Sequence, residues 1–353
     1  MIDLKRLTLT QRLAAGLGCV LVLAALAAVV LYGALQVVAR SRDRRHLTEA
    51  PPGWADSLRS FSRLPEIGGL ALPHDLDGDG AGVAHDASLR WSMPDVEPAY
   101  RALMGGQARA ADSAVWRAVL ADTGLDRFVS AARMRRWDAL DRMLARTPAA
   151  GRNILALPLP AFGPIRDATR ALVIRSAMRL SRGDRARARA DLGAAMGLGQ
   201  RMFSREPSLM GLLVGRSMIV SAAHGWERYA RATGDSALAA RARSALAWET
   251  RWPMGAGAFL ALAPDTALAL ARDTTLALAL RAEALRGVMD SWLLTPRGML
   301  FGVERRYRDA IRTFATDRDP DLARLAIAIS ATADRIDVWH LGELQREATG
   351  AGR

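Results

Sequence analysis

The stretch from Arg170 to Gln200, RALVIRSAMRLSRGDRARARADLGAAMGLGQ, decides the fold. One helix ends at the pair Gly183-Asp184 and a second helix begins at once. Glycine favours the end of a helix, because it adopts the left-handed conformation there, and an aspartate caps the start of the next one. We therefore expect two helices that fold back on each other.

The same pattern of helices and stops fills the chain beyond residue 106. Asp319 can cap the last helix, and Pro320 suits its first turn. Strand signals are nearly absent, so the sequence predicts an all-α fold, as a multi-helix bundle or a short array of helical hairpins. The predicted helices span residues 107–122, 124–146, 164–182, 185–204, 207–232, 235–250, 274–293, 297–315 and 320–347.

The hairpin over residues 168–200 resembles a tetratricopeptide unit. The matching positions are Leu172, Ser176, Gly183, Asp184, Ala188, Leu192 and Ala195. In that family, small residues let the two helices of a hairpin touch, and such hairpins stack into surfaces that bind partners. Arg175 and Arg179 depart from the pattern, which has apolar or aromatic residues there. The alternative is an ordinary helical bundle that uses the Gly-Asp pair as a cap.

The composition excludes several classes of protein. The chain has 353 residues, of which half are hydrophobic, so it is not intrinsically disordered. Cys19 is its only cysteine, which excludes a disulfide framework and a cysteine-based zinc site. The net charge is +13, but arginines alternate with acidic residues along most predicted helices. We therefore expect no binding to nucleic acid, which favours basic residues concentrated on one face.

An uncharged run from Leu13 to Ala39 indicates a membrane segment. It exceeds the roughly 20 residues that a helix needs to cross the hydrocarbon layer. The sequence therefore predicts an N-terminal single transmembrane helix rather than a cleaved signal peptide, whose apolar region is shorter. The preceding residues Leu7–Leu13 resemble the first helix of bacterial chemoreceptors and sensor kinases.

Arg40, Arg42, Arg44 and Arg45 follow this run, where they would contact the lipid bilayer and its anionic head groups. The predicted localisation is a single-pass position in a bacterial inner membrane, with the body on the extracytoplasmic side. The expected domains are a tail and anchor (1–45), an irregular segment rich in Pro and Gly (46–106) and an α-helical body (107–353). Within the irregular segment, short helices are expected near Ala55–Arg63 and Pro94–Leu103.

The sharpest motif is Asp75-Leu76-Asp77-Gly78-Asp79-Gly80, with Asp86 six residues further on. It has the spacing of a calcium-binding loop, in which alternating carboxylates supply oxygen ligands and glycine makes the turn. The sequence therefore predicts a Ca²⁺ site formed by Asp75, Asp77, Asp79 and Asp86. The alternatives are an acidic surface turn, or a transition-metal site that includes His74 and His85.

No catalytic motif is found in the sequence. The first functional hypothesis is therefore a non-catalytic, membrane-anchored helical scaffold or accessory subunit, whose partners are subunits of a membrane protein complex. The alternatives are an extracytoplasmic sensor or ligand-binding module, and an enzyme without a recognisable motif. A concave, partly polar pocket in the body would favour the alternatives over the scaffold.

Overall fold

The computed structural model describes residues 53–64, 69–92, 95–106, 113–140, 142, 162–249, 262–293 and 305–335. Almost all of the regular structure in these residues is helical, and the prediction of an all-α body is confirmed for them. In chain order the elements are α1 (Trp54–Ser62), β1 (Leu76–Asp79), α2 (Gly80–Arg90), α3 (Glu97–Met104), α4 (Ser113–Ala121), α5 (Leu125–Arg133), β2 (Met134–Arg136), α6 (Phe162–Ser181), α7 (Arg185–Arg205), α8 (Leu209–Thr233), α9 (Ser236–Glu249), α10 (Pro264–Arg272), α11 (Leu278–Leu293), α12 (Arg305–Thr313) and α13 (Pro320–Arg335).

Helices α6 to α9 form two consecutive hairpins at the centre of the protein. Gly183 ends the first turn with φ 83°, and Gly234 ends the second with φ 73°. The aspartate after each glycine caps the next helix: Asp184 accepts a hydrogen bond from the Arg187 amide at 3.1 Å, and Asp235 accepts one from the Leu238 amide at 2.9 Å. The predicted turn at Gly183-Asp184 is therefore confirmed, and the turn at Gly234-Asp235 is built in the same way. The tetratricopeptide resemblance stays a prediction.

The two hairpins are held together by a close crossing of α7 and α8. A Cβ atom on Gly199 would lie 2.8 Å from the backbone nitrogen of Ile219, and a Cβ on Gly215 would overlap the backbone of Phe203. Glycine is thus required at both positions, because the two backbones touch. This contact lets the buried faces of α6, α7 and α8 share one core.

Two short strands, absent from the sequence-based prediction, pair in parallel. Leu76 of β1 is in register with Met134 of β2, and Asp79 with Arg136. The predicted helix over 124–146 is therefore wrong at residues 134–138, where the chain leaves the helix and becomes extended to meet β1, whereas residues 139, 140 and 142 are helical again. The pairing joins residues far apart in sequence, so local periodicity did not reveal it.

The segment predicted to be irregular contributes helices that pack on the central hairpins. Phe61 of α1 stacks on Trp248 of α9, with ring centroids 5.4 Å apart, and the Trp248 indole donates to the Phe61 carbonyl at 3.0 Å. The Trp226 indole of α8 likewise donates to the Leu70 carbonyl at 3.0 Å. The helices expected near 55–63 and 94–103 correspond to α1 and α3.

Helices α10, α11 and α13 extend the body beyond the second hairpin. Helix α10 is absent from the sequence-based prediction. The start of α13 is confirmed, because Asp319 accepts hydrogen bonds from the amides of Asp321 and Leu322. Arg281 of α11 donates to the Ala271 carbonyl at 2.9 Å and to Asp317 at 2.7 Å, which ties α10, α11 and the turn before α13 together.

The predicted membrane anchor requires correction. In the described part of the chain, no helix has both the length and the apolar character to cross a membrane. The longest described helices, α6 to α8, carry charged residues such as Arg175, Asp191 and Arg216 and bury their apolar faces against one another. The structure therefore does not support the fold class with a transmembrane helix or the single-pass inner-membrane localisation. The predicted span over 13–39 and the arginines at 40–45 lie outside the described residues.

Candidate functional site

The four carboxylates of the predicted calcium loop each contact an arginine. Asp75 accepts two hydrogen bonds from Arg133, at 2.8 and 2.5 Å. Asp77 lies 3.0 Å from the guanidinium of Arg135, which also comes from the α5–β2 segment. The bidentate contact with Arg133 lowers the pKa of Asp75. Strand pairing thus brings basic residues to the acidic ones.

Asp79 and Asp86 share a third arginine. The Asp79 carboxylate accepts from the amides of Ala81 and Gly82 and thereby caps α2. It also accepts from Arg142 Nε at 3.1 Å, and Arg142 Nη1 lies 3.5 Å from Asp86. Gly82 leaves the space that this guanidinium occupies, since a Cβ there would overlap it.

The aspartate–glycine motif therefore forms the end of β1 and the start of α2. Within the residues that the structure describes, no three His, Cys, Asp or Glu side chains converge as metal ligands. Calcium binding by these four aspartates stays a prediction, and binding would require the arginine contacts to be exchanged for the ion.

A concave site of a different kind lies between α3, α4, α6 and α8. This surface, called the apolar groove below, has a volume of about 610 Å³. Its lining residues are Leu103, Trp116, Val173, Ile174, Ser176, Ala177, Met178, Leu180, Ser181, Gly183, Arg185, Gly225, Arg228, Tyr229 and Ala232.

The floor of the apolar groove is fixed by close packing. Val173, Ile174 and Tyr229 are buried. Gly225 lets α8 approach α6 and α7, since a Cβ there would lie 2.6 Å from Leu192 and 2.9 Å from Val173. The shape of the groove thus follows from the packed core and does not depend on a loop.

The rim of the apolar groove carries hydrogen-bond donors. Arg185 is exposed at the start of α7, and its guanidinium has no partner among the described residues. Arg228 donates one hydrogen bond, at 2.8 Å, to the Leu103 carbonyl. The Trp116 indole nitrogen is buried without a described acceptor. The described lining contains no carboxylate and no histidine, so the groove favours an apolar ligand that carries a negative group.

A buried ion cluster, which does not line the groove, joins α6 to α7. Arg175 donates to Asp191 at 2.8 Å, and Arg179 does so at 2.8 Å. Arg175 also contacts Asp126 at 2.9 Å and the Asp122 carbonyl at 3.2 Å. The arginines that depart from the tetratricopeptide pattern are therefore partners of one buried aspartate, and they fix the position of α5 on the hairpin.

Sequence reasoning did not identify the residues of the apolar groove. The groove combines residues of five helices, α3, α4, α6, α7 and α8, so no local motif marks it. One weak signal existed: Arg185 is a cation in the first turn of α7, where the helix dipole disfavours positive charge. Comparisons with protein-family models, curated proteins and solved structures give no match to this chain.

Proposed function

We propose that the protein is a non-catalytic helical scaffold that binds an apolar, acidic segment of a partner protein in the apolar groove. The observation that carries this proposal is the character of the described lining. Its floor is apolar, and the charged groups at its rim are the cations Arg185 and Arg228. Apolar burial supplies affinity for such a segment, and the arginines select a carboxylate.

The same lining argues for binding over catalysis. General acid–base or nucleophilic chemistry needs titratable groups that converge on a reacting atom. The described walls of the groove offer arginines, serines and one tyrosine, Tyr229, whose hydroxyl lies 3.5 Å from the Arg185 carbonyl. The groove is therefore suited to hold a ligand in place.

The test uses the full chain and a pair of designed peptides. One is an amphipathic helix of leucine and glutamate, and the other replaces every glutamate with lysine. We expect saturable binding of the acidic peptide in fluorescence anisotropy and much weaker binding of the basic one. Arg185→Glu should weaken binding about tenfold, as expected for loss of one charge-assisted contact.

Arg189→Glu is the matched control, because Arg189 is also exposed on α7 but does not line the groove. Equal losses in the two variants would show that the peptide is attracted to basic charge in general and would overturn the proposal.

A fatty acid tested in parallel distinguishes the scaffold from the second hypothesis, a ligand-binding module. The groove volume lies within the roughly 300–1,000 Å³ range of small-molecule sites. Binding of the fatty acid without the peptide would replace the scaffold with a ligand-binding module.

A further inference from the structure

A second, polar pocket lies between the end of α2 and the turn that joins α4 to α5. Its volume is about 370 Å³. One wall is the end of α2 with the residues after it, and the other wall is the α4–α5 turn with the start of α5. The lining residues are Ala87, Arg90, Trp91, Ser92, Asp122, Thr123, Gly124 and Arg127. None of these lines the apolar groove.

Short contacts hold the two walls of this polar pocket together. The Trp91 indole donates to Asp122 Oδ2 at 2.6 Å, and the Gly124 amide donates to Asp122 Oδ1 at 2.7 Å. The Trp91 ring also packs edge-on against Phe128, with centroids 5.8 Å apart. Arg175 donates to the Asp122 carbonyl at 3.2 Å, which connects the turn to the buried ion cluster. The pocket is therefore formed before any ligand arrives.

The remaining polar groups of the pocket lack partners among the described residues. The guanidinium groups of Arg90 and Arg127 are exposed and form no ion pair or hydrogen bond there, and the same holds for the hydroxyls of Ser92 and Thr123. This differs from Arg133 and other nearby arginines, which contact carboxylates. The pocket thus offers two cations and two hydroxyl donors to a ligand.

We propose that the polar pocket binds the phosphate group of a small organic phosphate ester. Guanidinium groups match phosphate oxygens with paired hydrogen bonds, and hydroxyls complete the coordination. The Asp122 carboxylate also faces the pocket, but both of its oxygens are engaged by Trp91 and Gly124, and the two arginines outnumber it. The volume exceeds that of a bare phosphate ion, which leaves room for the organic part of an ester.

The test is calorimetric titration of the full chain with inorganic phosphate and, separately, with glycerol phosphate at low ionic strength. We expect saturable binding of both probes, with glycerol phosphate the tighter. Arg90→Gln and Arg127→Gln should each weaken binding about tenfold, since each removes one charged contact to the phosphate. Both side chains are exposed, so the variants should keep the circular dichroism spectrum and melting temperature of the parent protein.

Arg117→Gln is the matched control, because Arg117 is exposed on α4 outside the pocket. An equal loss of binding in this variant, or no saturable heat with either probe, would overturn the proposal. If inorganic phosphate bound more tightly than the ester, the free ion would be the ligand of the pocket, and the proposal of an organic phosphate ester would be overturned. The outcome is independent of the proposed scaffold function, because Arg185→Glu should leave phosphate binding unchanged.

Discussion

The Trp137 indole donates a hydrogen bond of 3.2 Å to Glu206 Oε1, at the junction between α7 and α8. Glu206 is 3% exposed, and its second oxygen is buried without a described partner. Burial, together with the nearby carboxylates of Asp321 and Asp79, raises the pKa of Glu206 from its usual 4.5 to about 7. The native protein therefore keeps this carboxyl protonated where the unfolded chain ionises it.

We predict that this carboxyl makes the protein less stable as the pH rises. Between pH 4.5 and about 7, the native state holds a proton on Glu206 that the unfolded state has released. The stabilisation from this carboxyl is therefore fully present below pH 4.5 and is lost as the pH rises through about 7. The effect is on the order of 3 kcal/mol. Denaturant unfolding at pH 5 and pH 8 measures it.

Glu206→Gln isolates this contribution, because the amide keeps an acceptor for Trp137 and does not titrate. The difference in unfolding free energy between pH 5 and pH 8 should shrink in this variant. Other groups also titrate, so the quantity to compare is the change between the parent protein and Glu206→Gln. An identical pH slope in both proteins would show that Glu206 is ionised in the native state.

The buried ion cluster predicts a large cost for a single truncation. Asp191→Ala removes the carboxylate that two arginines share and leaves Arg175 buried without its main partner. Breaking a buried ion pair in this way typically costs about 3–5 kcal/mol. Asp184→Ala, which removes a partly exposed helix cap and a 3.7 Å ion pair with Arg187, should cost about 1 kcal/mol. Similar losses for both variants in urea unfolding would contradict the structural role of the cluster.

Calcium binding can be decided by calorimetry on the full chain. The arginine contacts of Asp75, Asp77, Asp79 and Asp86 already neutralise these carboxylates. If these arginine contacts hold in solution, Ca²⁺ produces no saturable heat and no change in melting temperature, and the predicted site is overturned. Saturable heat that Asp77→Ala abolishes would instead establish the predicted metal site and show that the arginines give way to the ion.

The sequence predicted those features that short-range chemistry determines. The glycine–aspartate turn at 183 follows from the left-handed conformation and the helix cap, which involve neighbouring residues only. The bounds of α6 to α9 agree with the prediction within two residues at each end for the same reason. The pair β1–β2 was missed because each strand is short and gains its hydrogen bonds from the other.

The candidate sites depend on contacts between distant segments. The acidic motif at 75–80 has the spacing of a calcium loop, but its arginine partners come from residues 133–142. The apolar groove and the polar pocket likewise combine segments that are distant in sequence. Arg175 and Arg179 carried a usable signal, since two charges on an apolar helix face require a buried counter-charge, and Asp191 supplies it.

The last prediction concerns the crossing of α7 and α8. Gly215→Ala places a Cβ against the backbone of Phe203. Backbone atoms cannot move aside as the end of a flexible side chain can, so the two helices must separate. We expect a loss of about 1–3 kcal/mol, the usual cost of overpacking a core. Gly197→Ala is the matched control, because a Cβ at Gly197 in the interior of α7 would make only ordinary contacts, the nearest at 3.6 Å from the Cβ of Ala132. Since alanine is the better helix former, the control should be neutral or more stable by up to about 1 kcal/mol. Thermal unfolding of both variants gives the comparison, and a Gly215→Ala protein as stable as its parent would show that the two backbones are not in contact.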